Sequence, residues 1–358
     1  MRGARSGPRS AARGARGGAR SAARGAKRRR EAHLAPRTSD LAPGSIEQQL
    51  AEIERTSGDG DLRFDDGRTL RVTSLDKLYF PRDGITKGEL MRYYAHVAPL
   101  LLPILADRPL GLKRYPEGIE GHSFFQQNAT KYPRGVRVER IRTETGEVAP
   151  RFVGGDLPTL LYVVQIGTIA LHAWQSRVGS LDDADYSTID LDPGQGVQFA
   201  RVVDLARIVG ASLRELRLNA ALKTSGSKGI HVTIPLPPGT SYAESTALAQ
   251  GVAERVVDAH PELATLQRRI DERPRGTVYV DVQQNARGKS VVSAYSARAR
   301  PGATVSAPLR WPELTGRLRL ERFTVRTMRR RLASVGDLWG DALRIGNRDE
   351  AIAKGLGR

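Results

Sequence analysis

The chain contains no cysteine in 358 residues. That absence excludes a disulfide scaffold, a cysteine-built zinc finger and cysteine nucleophile chemistry. Long apolar runs are also missing. The most apolar stretch, Leu100-Leu101-Leu102-Pro103-Ile104-Leu105, follows Pro99 and is broken by Pro103. Nothing approaches the ~18 uncharged residues of a membrane span, so no membrane partner is expected. The spacing G-x-x-x-x-G-K-[ST] is absent, which removes a Walker-type phosphate loop. There is no K-x-D-G ligase nucleophile motif and no tandem repeat beyond the low-complexity start. The acidic cluster Asp59, Asp61, Asp65 and Asp66 fails the calcium-loop pattern, because Arg63 stands at the third ligand place.

Negative charge is in short supply. Lys and Arg number 57 against 39 Asp and Glu, a formal charge of +18. Residues 1–40 hold twelve Lys or Arg against Glu31 and Asp40, a net of +10, which leaves +8 on the rest. The globular part is therefore basic in its own right and favours polyanions, with salt-dependent binding through counterion release. Charge alone does not separate DNA from RNA.

Residues 1–45, mostly Arg, Gly, Ala and Ser, are expected to form a disordered basic arm. An Arg-rich start also fits a transit peptide, but the glycine content and the lack of an amphipathic stripe favour a nucleic-acid tether. A globular domain is expected over 46–345, with an N-terminal subdomain to about 155, a catalytic core from about 156, and a tail over 346–358. A short helix is expected near Ile46–Ile53, then a hairpin around Asp65-Asp66-Gly67-Arg68. Thr86-Lys87-Gly88-Glu89 has capping-box spacing and opens a helix with Lys87 in its first turn, where backbone amides favour an anion. The apolar segment Pro158–Trp174 reads as a buried helix with His172 near its end. Helical periodicity over Val197–Leu216 precedes strands at Ala220–Thr224 and Gly229–Pro235. Ser241 to Glu244 caps a helix to about Ala259, and strands follow around Val278–Val282 and Ser290–Tyr295. Strands and helices interleave, so the fold class is α/β or α+β with a mixed sheet.

Chemistry concentrates in three pieces: Asp190-Leu191-Asp192, Thr224-Ser225-Gly226-Ser227-Lys228-Gly229-Ile230-His231, and Val280-Asp281. Each sits in or beside a run rich in Val, Ile, Thr and Tyr, so all three read as strand-borne. Residues i and i+2 on a strand point to one side, so Asp190 and Asp192 present two carboxylates together while Leu191 goes to the core. Asp281 would complete an oxygen cage for two divalent ions, Mn2+ or Mg2+. Between these pieces, Gly226 and Gly229 let backbone amides approach phosphate oxygens, and Ser225, Ser227, Lys228 and His231 add donors or charge. Singly, each piece has an ordinary reading: a solvated strand end or a sugar-transferase D-x-D, a turn, a packed histidine.

Together, and in this order, they resemble the archaeo-eukaryotic primase superfamily, and in particular its bacterial end-joining branch, the LigD polymerase domain. The likeness runs from about Ser74 to about Gly340. It includes Leu75-Asp76-Lys77-Leu78-Tyr79, Ile85-Thr86-Lys87, Lys113-Arg114-Tyr115-Pro116-Glu117-Gly118, Phe124-Phe125-Gln126-Gln127-Asn128 and Tyr295-Ser296-Ala297-Arg298. The resemblance implies an RRM-like catalytic module joined to an N-terminal subdomain. It implies a polymerase of the primase-polymerase type, working by a two-metal mechanism on Asp190, Asp192 and Asp281. His172, Ser225, Lys228, His231, Gln284 and Arg298 would bind an incoming NTP or dNTP, and Lys77 and Lys87 the 5′-phosphate of DNA. Lys113, Arg114, Phe124 and Phe125 would meet the template.

The implied role is extension of DNA ends or filling of gaps, with a preference for ribonucleotides, in non-homologous end joining repair. Its place would be the bacterial cytoplasm at the nucleoid, with a Ku-like end binder and a separate DNA ligase as expected partners. Departures from the family pattern at Val282, Ala294 and the Arg273/Arg275 region touch nucleotide selection. Two rival readings share these residues: a primase that starts chains without a primer, and a non-catalytic DNA end-bridging protein.

Overall fold

A computed structural model of the protein describes residues 45–143 and 146–356. The basic arm expected over 1–45 falls outside them except for Ser45, which opens a helix over Ser45–Thr56. The helix is followed by the expected hairpin, whose strands Gly60–Arg63 and Thr69–Val72 pair with Leu62 opposite Leu70.

Two sheets organise the rest. The central one has six strands, in the order Ala264–Thr265, Val278–Asp281, Tyr186–Pro193, Ile230–Pro235, Ala221–Thr224, Pro308–Leu309. All pairs are antiparallel except the first, which is parallel, so the sheet is mixed as anticipated. Along the strand Tyr186–Pro193, buried Ile189 and Leu191 alternate with Asp190 and Asp192. That period of two sends the apolar set to one face and the carboxylates to the other. The helices Phe199–Glu215 and Tyr242–Ala259 pack on this sheet through Val202, Leu205 and Val209, and through Leu248, Val252 and Val256. Ser241 caps the second of them with both halves of the capping box present.

The smaller sheet has four antiparallel strands, in the order Ser290–Val292, Thr168–Trp174, Leu110–Arg114, Phe124–Gln126. It draws two strands from each side of residue 155, and one apolar core runs from Leu50 to Ile352 through both halves. Ile352 lies in the helix Asp349–Gly355, so the expected tail carries a packed helix.

One expectation is overturned. The segment Pro158–Trp174 is a helix only over Leu157–Gln165, and Thr168–Trp174 is a strand that carries His172. Gly167, at φ +96°, ends the helix where an added Cβ would come within 3.0 Å of Pro116 Cα. A strand buried on both faces reads as a continuous apolar run, which periodicity does not separate from a buried helix. The last predicted strand is also shorter, Ser290–Val292, because Tyr295 turns the chain at φ +65°.

Asn285 ties the two sheets together. Its Oδ1 accepts from Gln175 Nε2 at 3.0 Å and from the Thr188 amide at 2.7 Å, while Nδ2 donates to the Thr188 and Val282 carbonyls at 2.8 and 2.9 Å. The residue is fully buried, so truncation strands its partners without water. Asn285→Ala is expected to cost about 2–4 kcal/mol of unfolding free energy in urea titrations.

Candidate active site

The pairing register sets one row of side chains across the four inner strands of the central sheet. Lys223 lies opposite His231, His231 opposite Asp190, and Asp190 opposite Asp281. Directly opposed residues share a face with Cβ atoms about 5 Å apart. Asp192, two residues on from Asp190, lies on the same face opposite Tyr279. The three aspartates are thus gathered on one face. Their carboxyl groups do not converge on a single point: among the described residues no group of three His, Asp or Glu side chains is closed enough to hold a metal. Instead Asp190 Oδ1 lies 3.4 Å from His231 Nε2, and Asp281 Oδ1 accepts the Gln283 amide at 2.8 Å.

Electrostatics reflect the crowding. Burial, followed by the nearby charges of Asp192 and Asp281, pushes Asp190 up to about 7. Burial likewise raises Asp192, partly offset by Arg273 and Lys228. Arg273 lies 4.1 Å from the centroid of the Tyr279 ring, which places its charge beside the carboxylates. A set of hard oxygen donors in mutual repulsion suits a divalent cation such as Mg2+ or Mn2+.

The loop beside this face is held by its own hydroxyls. Ser225 Oγ accepts from the amides of Ser227 and Gly229 at 3.1 and 3.0 Å, so these two amides serve the loop itself. Gly229 has no room for a side chain, because a Cβ would sit 2.3 Å from the Leu191 carbonyl oxygen. Lys228 is exposed at the tip. Arg298 donates to the Ser225 carbonyl at 3.1 Å, and its charge acts on Asp190, His172 and His231. The backbone carrying it is fixed from across the fold. Tyr93 Oη donates to the Tyr295 carbonyl at 2.7 Å, and Tyr94 Oη accepts the Ala297 amide at 3.0 Å. Both tyrosines lie on the helix Lys87–Leu105.

His172, on the smaller sheet, has its basicity lowered to about 3, first by burial and then by Arg298 and Lys223. The Phe125 ring meets it edge-on at 5.3 Å, and Lys113 Nζ lies 5.3 Å from the same phenyl centroid. Phe125 keeps 55% of its surface exposed, whereas Phe124 pairs with Arg114 at 5.1 Å. Gln284 is in the turn that follows Asp281.

The lysines expected at the DNA 5′-phosphate lie apart from this row but beside each other. The Lys87 amide donates to the Lys77 carbonyl at 2.8 Å. Lys77 Nζ pairs with Glu117 at 2.5 Å, and Lys87 Nζ donates to the Thr73 carbonyl at 2.7 Å. Burial and then Lys77 bring Lys87 down to about 8. The helix amides expected to favour an anion are engaged: Gly88 donates to the Leu75 carbonyl, and Glu89 to Thr86 Oγ1.

One residue escaped the sequence reading, Lys223. Lys223 was legible only as a lone charge alternating with apolar residues in a short strand. Its importance comes from the register.

Fold and site together define a domain of the primase-polymerase type. The model of the LigD primase-polymerase domain matches residues 86–339, and the chain belongs to that family. It is 33% identical over 248 residues to the multifunctional non-homologous end joining protein LigD of Mycolicibacterium smegmatis, covering 68% of this chain and 32% of that protein. With the LigD of Pseudomonas aeruginosa it shares 32% over 294 residues, covering 81% and 35%. The chain thus spans about a third of the length of these two relatives. A solved structure of the polymerase domain from Mycobacterium tuberculosis Ligase D in complex with DNA superposes with a TM-score of 0.71 at 32% identity, over 78% of this chain and 99% of that one.

Asp190 carries a pH signature. Between the ordinary carboxyl value of 3.8 and about 7 the folded state keeps a proton that the unfolded chain has released, so stability falls as pH rises through that window. In metal-free protein, Asp190→Asn is expected to raise Tm by roughly 2–5 °C at pH 8, with a smaller gain at pH 5. Thermal scans at the two pH values check the sign.

Proposed function

We propose that this chain is a template-directed nucleotidyl transferase that extends DNA ends or fills gaps with ribo- or deoxyribonucleotides in non-homologous end joining. The observation that carries this reading is the row of carboxylates beside a loop and arginine that supply cations. Asp190, Asp192 and Asp281 would hold two divalent ions, Mn2+ or Mg2+, their carboxylates turning inward on the face they share. Bound there, such ions neutralise charge on the primer 3′ oxygen and on the departing pyrophosphate. The chain's own part is positioning and electrostatics. Lys228, Arg298 and the Nε2 side of His231 face the place of the triphosphate, with Ser225 holding the loop in shape. His172 and Gln284 orient the nucleoside. Phe125, exposed beside His172, offers a stacking face for a template base, with Phe124, Lys113 and Arg114 supporting it. Lys77 and Lys87 receive the 5′-phosphate across the gap, which requires Lys77 to leave Glu117.

DNA is the polyanion this reading assigns to the basic surface, in keeping with the DNA-bound polymerase domain of the M. tuberculosis relative. A Ku-like end binder and a DNA ligase are the further partners proposed, since the curated relatives are end-joining proteins longer than this chain. Among the described residues no helix is long and apolar enough to cross a membrane, and the proposed setting is the bacterial nucleoid.

The test is extension of a gapped, 5′-phosphorylated duplex with ribo- or deoxyribonucleotides in Mn2+ and in Mg2+. Asp281→Ala is expected to lower extension by roughly 10³-fold or more, with DNA affinity within about twofold of wild type. Undiminished extension by that variant would overturn the catalytic assignment, and synthesis without a primer would favour the primase reading. Gly229→Ala, which pushes the loop off Leu191, is expected to reduce extension roughly 100-fold. DNA affinity should fall about 10-fold or more between 50 and 200 mM salt in a binding titration.

A further inference from the structure

Lys223 is the buried group for which the proposed chemistry has no use. Its side chain is 2% exposed, in the strand Ala221–Thr224, where a bare surface role is impossible. A buried lysine is costly unless each N–H meets a partner, and three partners surround this one. Nζ lies 2.9 Å from Ser306 Oγ, 2.8 Å from His231 Nδ1 and 5.8 Å from the Trp339 ring centroid. In the ammonium form Nζ has three N–H bonds, of which Ser306 and Trp339 take two and leave the third for His231 Nδ1. Ser306 directs its own hydroxyl proton to the Thr224 carbonyl at 2.8 Å, so toward Lys223 it can only accept. The face of an indole also attracts a donor or cation. Trp339 belongs to the helix Leu338–Ile345, whose capping residue Asp337 accepts from Tyr295 Oη at 2.7 Å, so the lid over Lys223 is itself pinned.

We propose that Lys223 is a positioning residue that donates to His231 Nδ1 and thereby fixes His231 as an Nε2–H donor facing Asp190 and the triphosphate site. A neutral imidazole has one N–H, and the partner at one nitrogen decides where it sits. With Nδ1 held as acceptor, the proton is at Nε2, 3.4 Å from Asp190 Oδ1. His231 is then a fixed donor for an anionic oxygen and offers no lone pair toward the cleft. Its ring does not have to choose between tautomers when a nucleotide arrives. The register sets the order of the row: lysine, histidine, carboxylate, each opposite the next across paired strands. The catalytic consequence rests on the nucleotidyl-transfer reading, but the tautomer itself does not.

The test is ¹⁵N NMR of the full chain carrying ¹⁵N-histidine. The six histidines are sorted by comparison with His231→Asn, and long-range imidazole correlations report which nitrogen is protonated. The wild type is expected to show the Nε2–H tautomer at His231, and Lys223→Met to shift it toward Nδ1–H or a mixture. In extension assays Lys223→Met is expected to lose roughly 10- to 100-fold in kcat/KM for the nucleotide, with DNA affinity unchanged. Ser306→Ala, a milder change that loosens Lys223 without removing it, should move both readouts part of the way. An Nδ1–H tautomer in the wild type, or an unchanged tautomer in Lys223→Met, overturns the proposal. Should Lys223→Met fail to fold, the wild-type spectrum and Ser306→Ala decide. A wild type that shows Nε2–H but extends no DNA sinks the polymerase reading and leaves this one standing.

Discussion

The structure depends on one constraint: four neighbouring strands of a single sheet must stay in a register that puts Lys223, His231, Asp190 and Asp281 in one row. Burial first, and then the like charges of Asp192 and Asp281, raise the proton affinity of Asp190 at the aspartate end. A slip of one residue in any strand would send its member of the row to the opposite face. The apolar alternates Ile189, Leu191, Val232 and Val280, all essentially buried, resist that slip, because each would have to move into the polar cleft. The hydrophobic face of the sheet thus holds together a polar face that on its own is unfavourable.

The cleft is completed from a second sheet and from a helix distant in sequence. His172 and Phe125 come from the four-stranded sheet, and Arg298 is held in place by tyrosines of the helix Lys87–Leu105. Asn285, four residues beyond Asp281, bonds both the central strand and the residue that follows His172's strand. Rigid support of this kind suits phosphoryl transfer, where the protein contributes positioning and electrostatics more than covalent chemistry. Two of the lysines are engaged internally, Lys77 by Glu117 and Lys87 by Thr73. On the proposed function, a phosphate would compete with these protein oxygens as well as with water.

Legibility differed by element. The D-x-D was readable because strand periodicity puts residues i and i+2 on one side whatever the rest of the fold does. The helices opened by Thr86 and Ser241 were readable because a capping hydroxyl acts within three residues. His172 was misplaced onto a helix, since a doubly buried strand and a buried helix present the same apolar run. Lys87 was readable as a first-turn lysine, but not its burial: it is 5% exposed and its ammonium donates to the Thr73 carbonyl, just past the hairpin strand that ends at Val72. The glycine-serine loop was recognisable, but which of its amides face inward depends on where Ser225 Oγ points.

The sequence by itself determined the local quantities: which residues alternate, where helices begin, how much positive charge the surface carries, and which family the ordered motifs resemble. Tertiary structure alone decided that Lys223 sits beside His231, that Asp281 faces Asp190, and that Tyr94 holds the segment leading to Arg298. Propensity and periodicity act over a few residues along the chain. Strand register and burial act between residues as far as 203 positions apart, and only packing brings those together.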